Sequence, residues 1–270
     1  MNETEKKIEQ SIRLIKSACK RHPYKIAFSG GKDSVVLNYL TKCAGYDVEK
    51  IYNATTIDPP GTIEFCKENN CTIQMPAKTF LQLVEKKGLP TMFRRFCCKE
   101  LKEKYIADYV MTGVRKAESV KRNQRYCSFE SVYQYSKKQS TLQLHPILFF
   151  DDKDIDYIIR TRELKCHDIY YDDNGTFHVE RRLGCIGCPL QGDRGIADFI
   201  QYPKLLRSIA VRNLRFHANH GRSPKDAYLN MVYNLFYSNH GFKRYQQTYF
   251  GLFASDPKQF LEEYFKIDLP

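Results

Sequence analysis

The sequence has no run of about 18 consecutive apolar residues, so no transmembrane helix is expected. Its first stretch, MNETEKKIEQSIRLIKSACKR, has no apolar signal-peptide core. Ile8, Ile12, Ile15 and Ala18 recur there at helical spacing instead, and the expectation is a cytoplasmic protein without membrane contact. There is no internal repeat and no low-complexity tract, so the fold is not built by repetition. Negative charge is scarce. Against 43 Lys and Arg stand only 31 Asp and Glu, a formal net charge of +12. An excess of that size points to polyanionic partners, with a solvated basic surface as the competing reading.

What is present is ordinary globular material: 270 residues, 42% hydrophobic and 27% charged. That length suits one large α/β domain, or one domain with a smaller C-terminal one. Strand-like runs fall at 25–29, 51–57, 72–77, 109–114 and 142–147. Helical patterns fall between them, at 34–44, 61–69, 79–87, 98–107 and 152–163. This alternation predicts an α/β fold, a doubly wound and mainly parallel sheet spanning residues 1–190. Residues 191–270 read as a helical C-terminal region, with Ser223-Pro224 and Asp256-Pro257 as helix starts. Residues 121–141 show no clear period and are rich in Lys, Arg, Gln and Ser, as expected of a loop lying over a site.

The first strand runs into Ser29-Gly30-Gly31-Lys32-Asp33-Ser34, and a helical pattern starts at once. Gly30 and Gly31 let the backbone turn tightly and approach an anion. The helix that follows aims its free N–H groups and its positive dipole end at the same point. Lys32 adds a full charge, and the hydroxyls of Ser29 and Ser34 add donors. Asp33 either caps the helix or helps hold Mg²⁺. The glycine spacing differs from that of the G-x-x-x-x-G-K-[ST] loop, so this is a phosphate cradle of another kind.

Of ten cysteines, four form short-range pairs: Cys97-Cys98 in RRFCCKELK, and Cys185 with Cys188 in RLGCIGCPLQG. Without an export signal such pairs point to metal or redox chemistry. Tetrahedral zinc draws its thiolates together on Zn–S bonds of about 2.3 Å, which neighbouring side chains satisfy poorly. A [4Fe–4S] cluster takes one thiolate at each of four irons and accepts wider spacing, so it is favoured over zinc. Cys19, Cys43, Cys66, Cys71, Cys127 and Cys166 read as small buried hydrophobes.

The hexapeptide resembles the pyrophosphate loop (PP-loop) of the ATP pyrophosphatase superfamily, whose fold is that of the adenine nucleotide alpha hydrolases. The resemblance implies cleavage of ATP between its α and β phosphates and transfer of AMP to an acceptor. It places Asp58, in TTIDPPG, near the nucleotide; a turn-forming Asp before Pro59-Pro60 is the competing reading. The further segments TGVRKAES (112–119), LHPILFFDDKDIDYI (144–158) and YYDDNGTFHVERRLGCIGCP (170–189) complete a resemblance to the phosphoadenosine phosphosulfate reductase family over residues 24 to about 195. It implies a [4Fe–4S] cluster on Cys97, Cys98, Cys185 and Cys188, and a phosphate or sulfate ligand in Arg115, supported by Glu118 and Ser119. A guanidinium at a strand end suits bidentate oxyanion binding.

Reductases of this family carry a nucleophilic Cys in a C-terminal tail, whereas here no Cys follows Cys188. The form GVRKAES is similar to the branch of ATP pyrophosphatases that act in DNA phosphorothioation. That branch implies a DNA partner, a cysteine desulfurase as sulfur donor and other subunits of a modification complex. Arg207, Arg212, Arg215, Arg222, Lys243 and Arg244, interleaved with Phe216, Tyr245 and Tyr249, are either a nucleic-acid surface or a solvated face over an aromatic core. A reductase of adenylylated sulfate using an external thiol, and a non-catalytic nucleotide- or DNA-binding subunit, are the alternatives.

Overall fold

The N-terminal segment forms helix α1 (Glu3–Arg21) because its ends and one face agree. Asn2 caps it by accepting the N–H of Glu5, acidic Glu3 and Glu5 occupy the first turn, and Lys20 and Arg21 the last. Its buried face carries Ile8, Ile15 and Ala18. A computed structural model gives this architecture and describes residues 2–236 and 256–270. Lys243, Arg244, Tyr245 and Tyr249 lie outside the described residues.

The chain forms two compact units. The first comprises Met1–Ala54, Pro59–Met75 and Lys104–Leu183, and the second Thr55–Asp58, Pro76–Glu103 and Gly184–Pro270. The first unit holds strands β1 (Lys25–Ala27), β2 (Lys50–Asn53), β3 (Cys71–Gln74), β4 (Tyr109–Thr112), β5 (Glu130–Ser136) and β6 (Gln139–Leu144). They make one six-stranded sheet in the order β3-β2-β1-β4-β6-β5. All neighbours pair in parallel except β5 with β6. Helices α2 (Lys32–Cys43) and α3 (Thr62–Glu68) supply the crossovers between β1, β2 and β3, helix α6 (Asp152–Thr161) follows the last strand, and α1 packs on α2 and α2 on α6. Ile26, Phe28, Val36, Leu37, Leu40, Met111, Leu144, Ile155 and Ile158 are buried between these layers.

β1 has β2 on one side and β4 on the other, so chain order reverses there. Ligands of open parallel sheets bind beyond the carboxyl ends of the strands at such a switch point. The loops that follow β1 and β4 are the two carrying Lys32 and Arg115.

The polar stretch 121–141, expected as an irregular loop, is instead a short helix α5 (Val120–Arg125) and most of the β5–β6 hairpin. Ser131, Tyr133 and Tyr135 are half-buried while Glu130, Val132, Gln134 and Ser136 are exposed. An edge strand with so little burial shows period two only weakly in sequence. The helix expected at 98–107 shrinks to a π-helical turn, Cys98–Lys102, closed by Glu103 N–H donating to Cys98 O at 2.7 Å.

The second unit is helical: α4 (Phe80–Lys87), α7 (Asp193–Gln201), α8 (Pro203–Ala218), α9 (Pro224–Phe236) and α10 (Pro257–Phe265). α8 packs on α4, α7 and α9, and α9 on α10. Leu83, Val84, Leu206, Ile209, Met231, Val232 and Leu261 form its core.

Candidate functional site

In the first unit the Ser29–Ser34 loop is tightly tied. Gly30 has φ +74, open to glycine at no steric penalty, and a Cβ there would sit 3.2 Å from Leu183 Cδ2. At Gly31 a Cβ would meet Ser29 Oγ at 3.2 Å and the Tyr170 hydroxyl at 3.3 Å. The Gly31 N–H donates to Ser29 Oγ (3.3 Å), and the Ser34 hydroxyl donates to Gly31 O (2.7 Å). α2 starts here, with no side-chain cap on Gly31, so the loop joins directly to a positive helix end.

Lys32 is only 4% exposed. Its N–H donates to the Tyr170 hydroxyl oxygen at 3.2 Å, and its ammonium donates to Arg181 O at 3.4 Å and lies 5.5 Å from the centroid of the Tyr170 ring. Burial lowers its pKa, partly opposed by Asp33. The Tyr170 hydroxyl accepts a second N–H, from Leu183 at 3.2 Å, and burial pushes its pKa up to about 12. Tyr170 thus pins the segment leading to Leu183 onto the loop.

Arg115 is 2% exposed and committed on several sides. Its Nε is 2.7 Å from Asp33 Oδ1, an ion pair without hydrogen-bond alignment, and its Nη2 donates to Asp152 at 2.9 Å. Asp33 therefore faces Arg115 and, at 3.8 Å, the Lys32 ammonium. Glu118 accepts the Arg115 N–H at 3.1 Å and pairs with Arg122, while Ser119 caps α5 by accepting the Arg122 N–H at 3.2 Å. Arg182 is exposed, donates to Glu118 O at 3.5 Å, and bears electrostatically on Lys32 and Arg122. Gly113 permits this convergence: a Cβ there would lie 3.1 Å from the Asp33 carbonyl carbon. Lys32, Arg115, Arg122 and Arg182 therefore surround a glycine-lined helix terminus, an arrangement suited to a polyphosphate.

The second unit holds the four paired cysteines. Cys97, Cys98, Cys185, Cys188 and Lys102 line one pocket, walled otherwise by Thr55, Ile57, Phe80, Leu101, Gly187 and prolines. The Cys97 thiol donates to Cys98, which lowers the Cys98 pKa to about 7 and raises that of Cys97. Burial raises Cys188, and the charge of Cys185 heads the causes that raise Lys102. Cys185 Sγ donates to Thr55 Oγ1 at 3.5 Å. Asp58 spends both oxygens on Thr55, accepting its N–H (2.8 Å) and its hydroxyl (2.6 Å). Among the described residues no group of three or more His, Cys, Asp or Glu is drawn together closely enough to hold a metal ion. Four soft donors nonetheless line one largely apolar pocket, and the chemistry of that donor set suits an iron–sulfur centre.

The loop that ends at Cys188 is fixed by α7. The Asp198 carboxylate accepts the Gly187 N–H at 2.9 Å, Gln191 donates to Cys185 O at 2.8 Å, and Gly195 lies against Cys188 O. Of the basic C-terminal residues, Arg212 and Arg215 both pair with Glu85, and Phe216 packs on Gly88. Arg207 and Arg222 are exposed.

The first unit gathers Ser29, Gly30, Gly31, Lys32, Asp33, Ser34, Arg115, Glu118 and Ser119, all legible in the sequence, in one place. Tyr170, Gly113, Arg122, Asp152 and Arg182 join them there only through the fold. Only the clustering of tyrosines in YYDDNG signalled Tyr170.

The fold and this site define a doubly wound α/β protein with an anion cradle of the PP-loop type at its switch point. The chain belongs to the phosphoadenosine phosphosulfate reductase domain family, whose model matches residues 23–191, more than half of its length. It is 30% identical over 203 residues to the uncharacterized protein MJ0973 of Methanocaldococcus jannaschii, covering 68% of this chain and 47% of that protein. It is 26% identical over 185 residues to a second uncharacterized protein of the same organism, MJ0066, covering 63% of this chain and 36% of that protein. The chain thus spans about half or less of the curated relatives it matches. Among solved structures, phosphoadenylyl-sulfate (PAPS) reductase from Candida auris in its phosphate complex aligns with TM-score 0.44 and 13% identity, covering 59% of this chain and 82% of that one. FMN adenylyltransferase from Candida glabrata in complex with ATP aligns with TM-score 0.44 and 14% identity, covering 66% and 62%. Among the described residues no helix is long and apolar enough to cross a membrane.

Proposed function

We propose that this protein is an ATP pyrophosphatase that adenylates an oxygen of a nucleic-acid acceptor, a DNA backbone phosphate, for replacement by sulfur. The observation that carries the reading is the buried Lys32 beside glycine amides at the start of α2, at the switch point of the sheet. On this reading the β and γ phosphates lie against the amides of Gly30 and Gly31, Lys32, Ser29 and Ser34. Arg115, held by Asp33 and Asp152, faces the phosphate that is attacked, with Glu118 and Ser119 fixing its backbone. Asp33 helps place Mg²⁺. The acceptor oxygen attacks the α phosphorus, the bond to the β phosphate breaks, and pyrophosphate leaves with the bonding electron pair. The adenylated oxygen then departs with AMP as the terminal sulfur of a persulfide from a cysteine desulfurase attacks the phosphorus, and an external thiol cleaves the resulting S–S bond, leaving the thiophosphate and a disulfide.

Cys97, Cys98, Cys185 and Cys188 would hold a [4Fe–4S] cluster, which supplies redox and sulfur-binding chemistry when bound. The excess of positive charge supports a nucleic-acid partner. A cytoplasmic location and membership of a modification complex go with this reading.

A second reading, reduction of adenylylated sulfate by an external thiol, is favoured by the description of the matching family. The test is product analysis with ATP, Mg²⁺ and oligonucleotide. AMP and pyrophosphate are expected, and Lys32→Ala should weaken pyrophosphate binding by about 1.5–3 kcal/mol, one charge-assisted contact. ADP and inorganic phosphate would overturn the assignment. Sulfite released from adenylylated sulfate would install the second reading, and no turnover of either substrate would leave a non-catalytic nucleotide-binding subunit.

A further inference from the structure

Helix α3 and strand β3 each bring a cysteine to one spot in the first unit. Cys66 lies on the buried face of α3, within the core, and Cys71 opens β3. Between them Asn70 turns the chain back at φ 54, a left-handed conformation that asparagine adopts more readily than most residues. β3 is an edge strand of the sheet, and Cys71 is only half-buried. Both residues read in sequence as small buried hydrophobes, yet the Cys66 thiol donates a hydrogen bond to the Cys71 sulfur. That bond lowers the Cys71 pKa against the opposing effect of burial. The charge of Lys50, the register partner of Cys71 on β2, acts in the same direction as the bond.

Cys66 also touches the anion loop. A Cβ at Gly30 would sit 3.4 Å from Cys66 Sγ and 3.7 Å from the Phe65 ring, so this sulfur is part of the floor on which Gly30 rests. A disulfide holds its sulfurs about 2.05 Å apart, well inside the separation of a hydrogen-bonded pair. Closing a bridge therefore draws Cys66 Sγ toward β3, and the contact beneath Gly30 changes with it. In a close-packed interior such a shift is passed on to the neighbours.

We infer that Cys66 and Cys71 form a thiol–disulfide switch beneath the anion loop: the reduced pair supports the loop, and the bridged pair loosens its grip on a polyphosphate. The inference rests on the reading of that loop as a pyrophosphate cradle. The oxidant is a small disulfide. The Cys71 thiolate attacks one of its sulfurs, the S–S bond breaks, and one small thiol leaves with the bonding electron pair. Cys66 then gives up its proton and attacks the Cys71 sulfur of the mixed disulfide, and the second small thiol leaves. Two protein thiols are oxidised, one disulfide is reduced to two thiols, and excess thiol reverses the exchange. A thiol is also the reductant that the proposed sulfur transfer consumes, so the switch lowers ATP use where that reductant has been oxidised.

The probe is oxidised glutathione, followed by digestion with trypsin. Lys67 lies between the two cysteines, so the digest separates residues 51–67 from 68–78, each with one cysteine, and only the bridge holds them together. The bridged peptide is expected from the wild-type protein, is lost on adding dithiothreitol, and is absent from Cys71→Ser. With the bridge closed, hydrogen exchange across residues 28–34 quickens and pyrophosphate affinity falls several-fold. Cys71→Ser keeps the reduced wild-type values in the same oxidant, which sets aside effects through the other cysteines. A wild-type protein that forms no bridge in excess oxidised glutathione overturns the inference, and so does a bridged protein whose loop exchanges as slowly as the reduced one. If the reduced protein binds no pyrophosphate, the cradle reading of the function falls, and loop exchange alone decides the switch.

Discussion

Tyr170 contributes one oxygen and receives two backbone N–H groups, from Lys32 and Leu183. Tyr170→Phe keeps the ring and strands both donors in a buried place, at about 1–3 kcal/mol for each. If the hydroxyl holds the loop ready, pyrophosphate affinity falls several-fold in a calorimetric titration well below the melting temperature. Tighter binding would show that the hydroxyl competes with the anion for the Lys32 N–H. His145 gives a pH-dependent prediction. Its ring is buried between the hydroxyls of Thr112 (2.7 Å) and Ser131 (2.8 Å), and burial followed by the charge of Arg125 pushes its pKa down to about 4. The unfolded value is about 6.5, so the unfolded chain takes up the proton first. Stability from neutral His145 is complete above about pH 6.5 and is lost as pH falls to about 4, a change of about 3 kcal/mol. Urea unfolding at pH 7 and pH 4.5 measures it, and His145→Gln should flatten the difference. Lys32, Arg115 and the cysteines were legible because their residue types announce charge or sulfur chemistry. Tyr170 and Gly113 were not, since a hydroxyl accepting amides and an absent Cβ acquire meaning only when distant segments meet.

Among the elements, α7 acts on the cysteine loop through two glycines. At Gly187 (φ +68) a Cβ would fall 2.0 Å from Phe199 Cζ, and at Gly195 it would fall 2.5 Å from Cys188 O. Neither site can open without moving the loop or the helix. Gly195→Ala should therefore cost about 1–3 kcal/mol through overpacking and displace Cys188, so that anaerobically purified protein holds less iron than wild type. Full iron at wild-type stability would show that α7 yields freely. The parallel strands and crossover helices were legible from alternation, because buried strands and amphipathic helices each impose a period on the chain. The β5–β6 hairpin was hidden by its edge position, where one face is half-buried and the other exposed. The π-helical turn at Cys98 was hidden because residue types carry no mark of an i→i+5 bond such as that from the Glu103 N–H to Cys98 O.

At the scale of the molecule, the strand order places the β1 and β4 loops side by side, whereas the alternating sequence announced only a parallel, doubly wound sheet and no order. It did not announce the division into units either, because Thr55–Asp58 and Pro76–Glu103 join Gly184–Pro270 across the intervening sheet segments. Composition cannot mark a boundary where the chain crosses between units several times within a few tens of residues. The paired arginines illustrate the same limit: Arg212 and Arg215 count toward the net charge, yet Glu85 claims both. The interleaving also sets an order in time. During synthesis Cys97 and Cys98 leave the ribosome long before Cys185 and Cys188 exist, and the helices that hold the later pair follow these. The early thiols wait through the making of half a sheet, so any centre on the four sulfurs can be assembled only after the later pair has emerged.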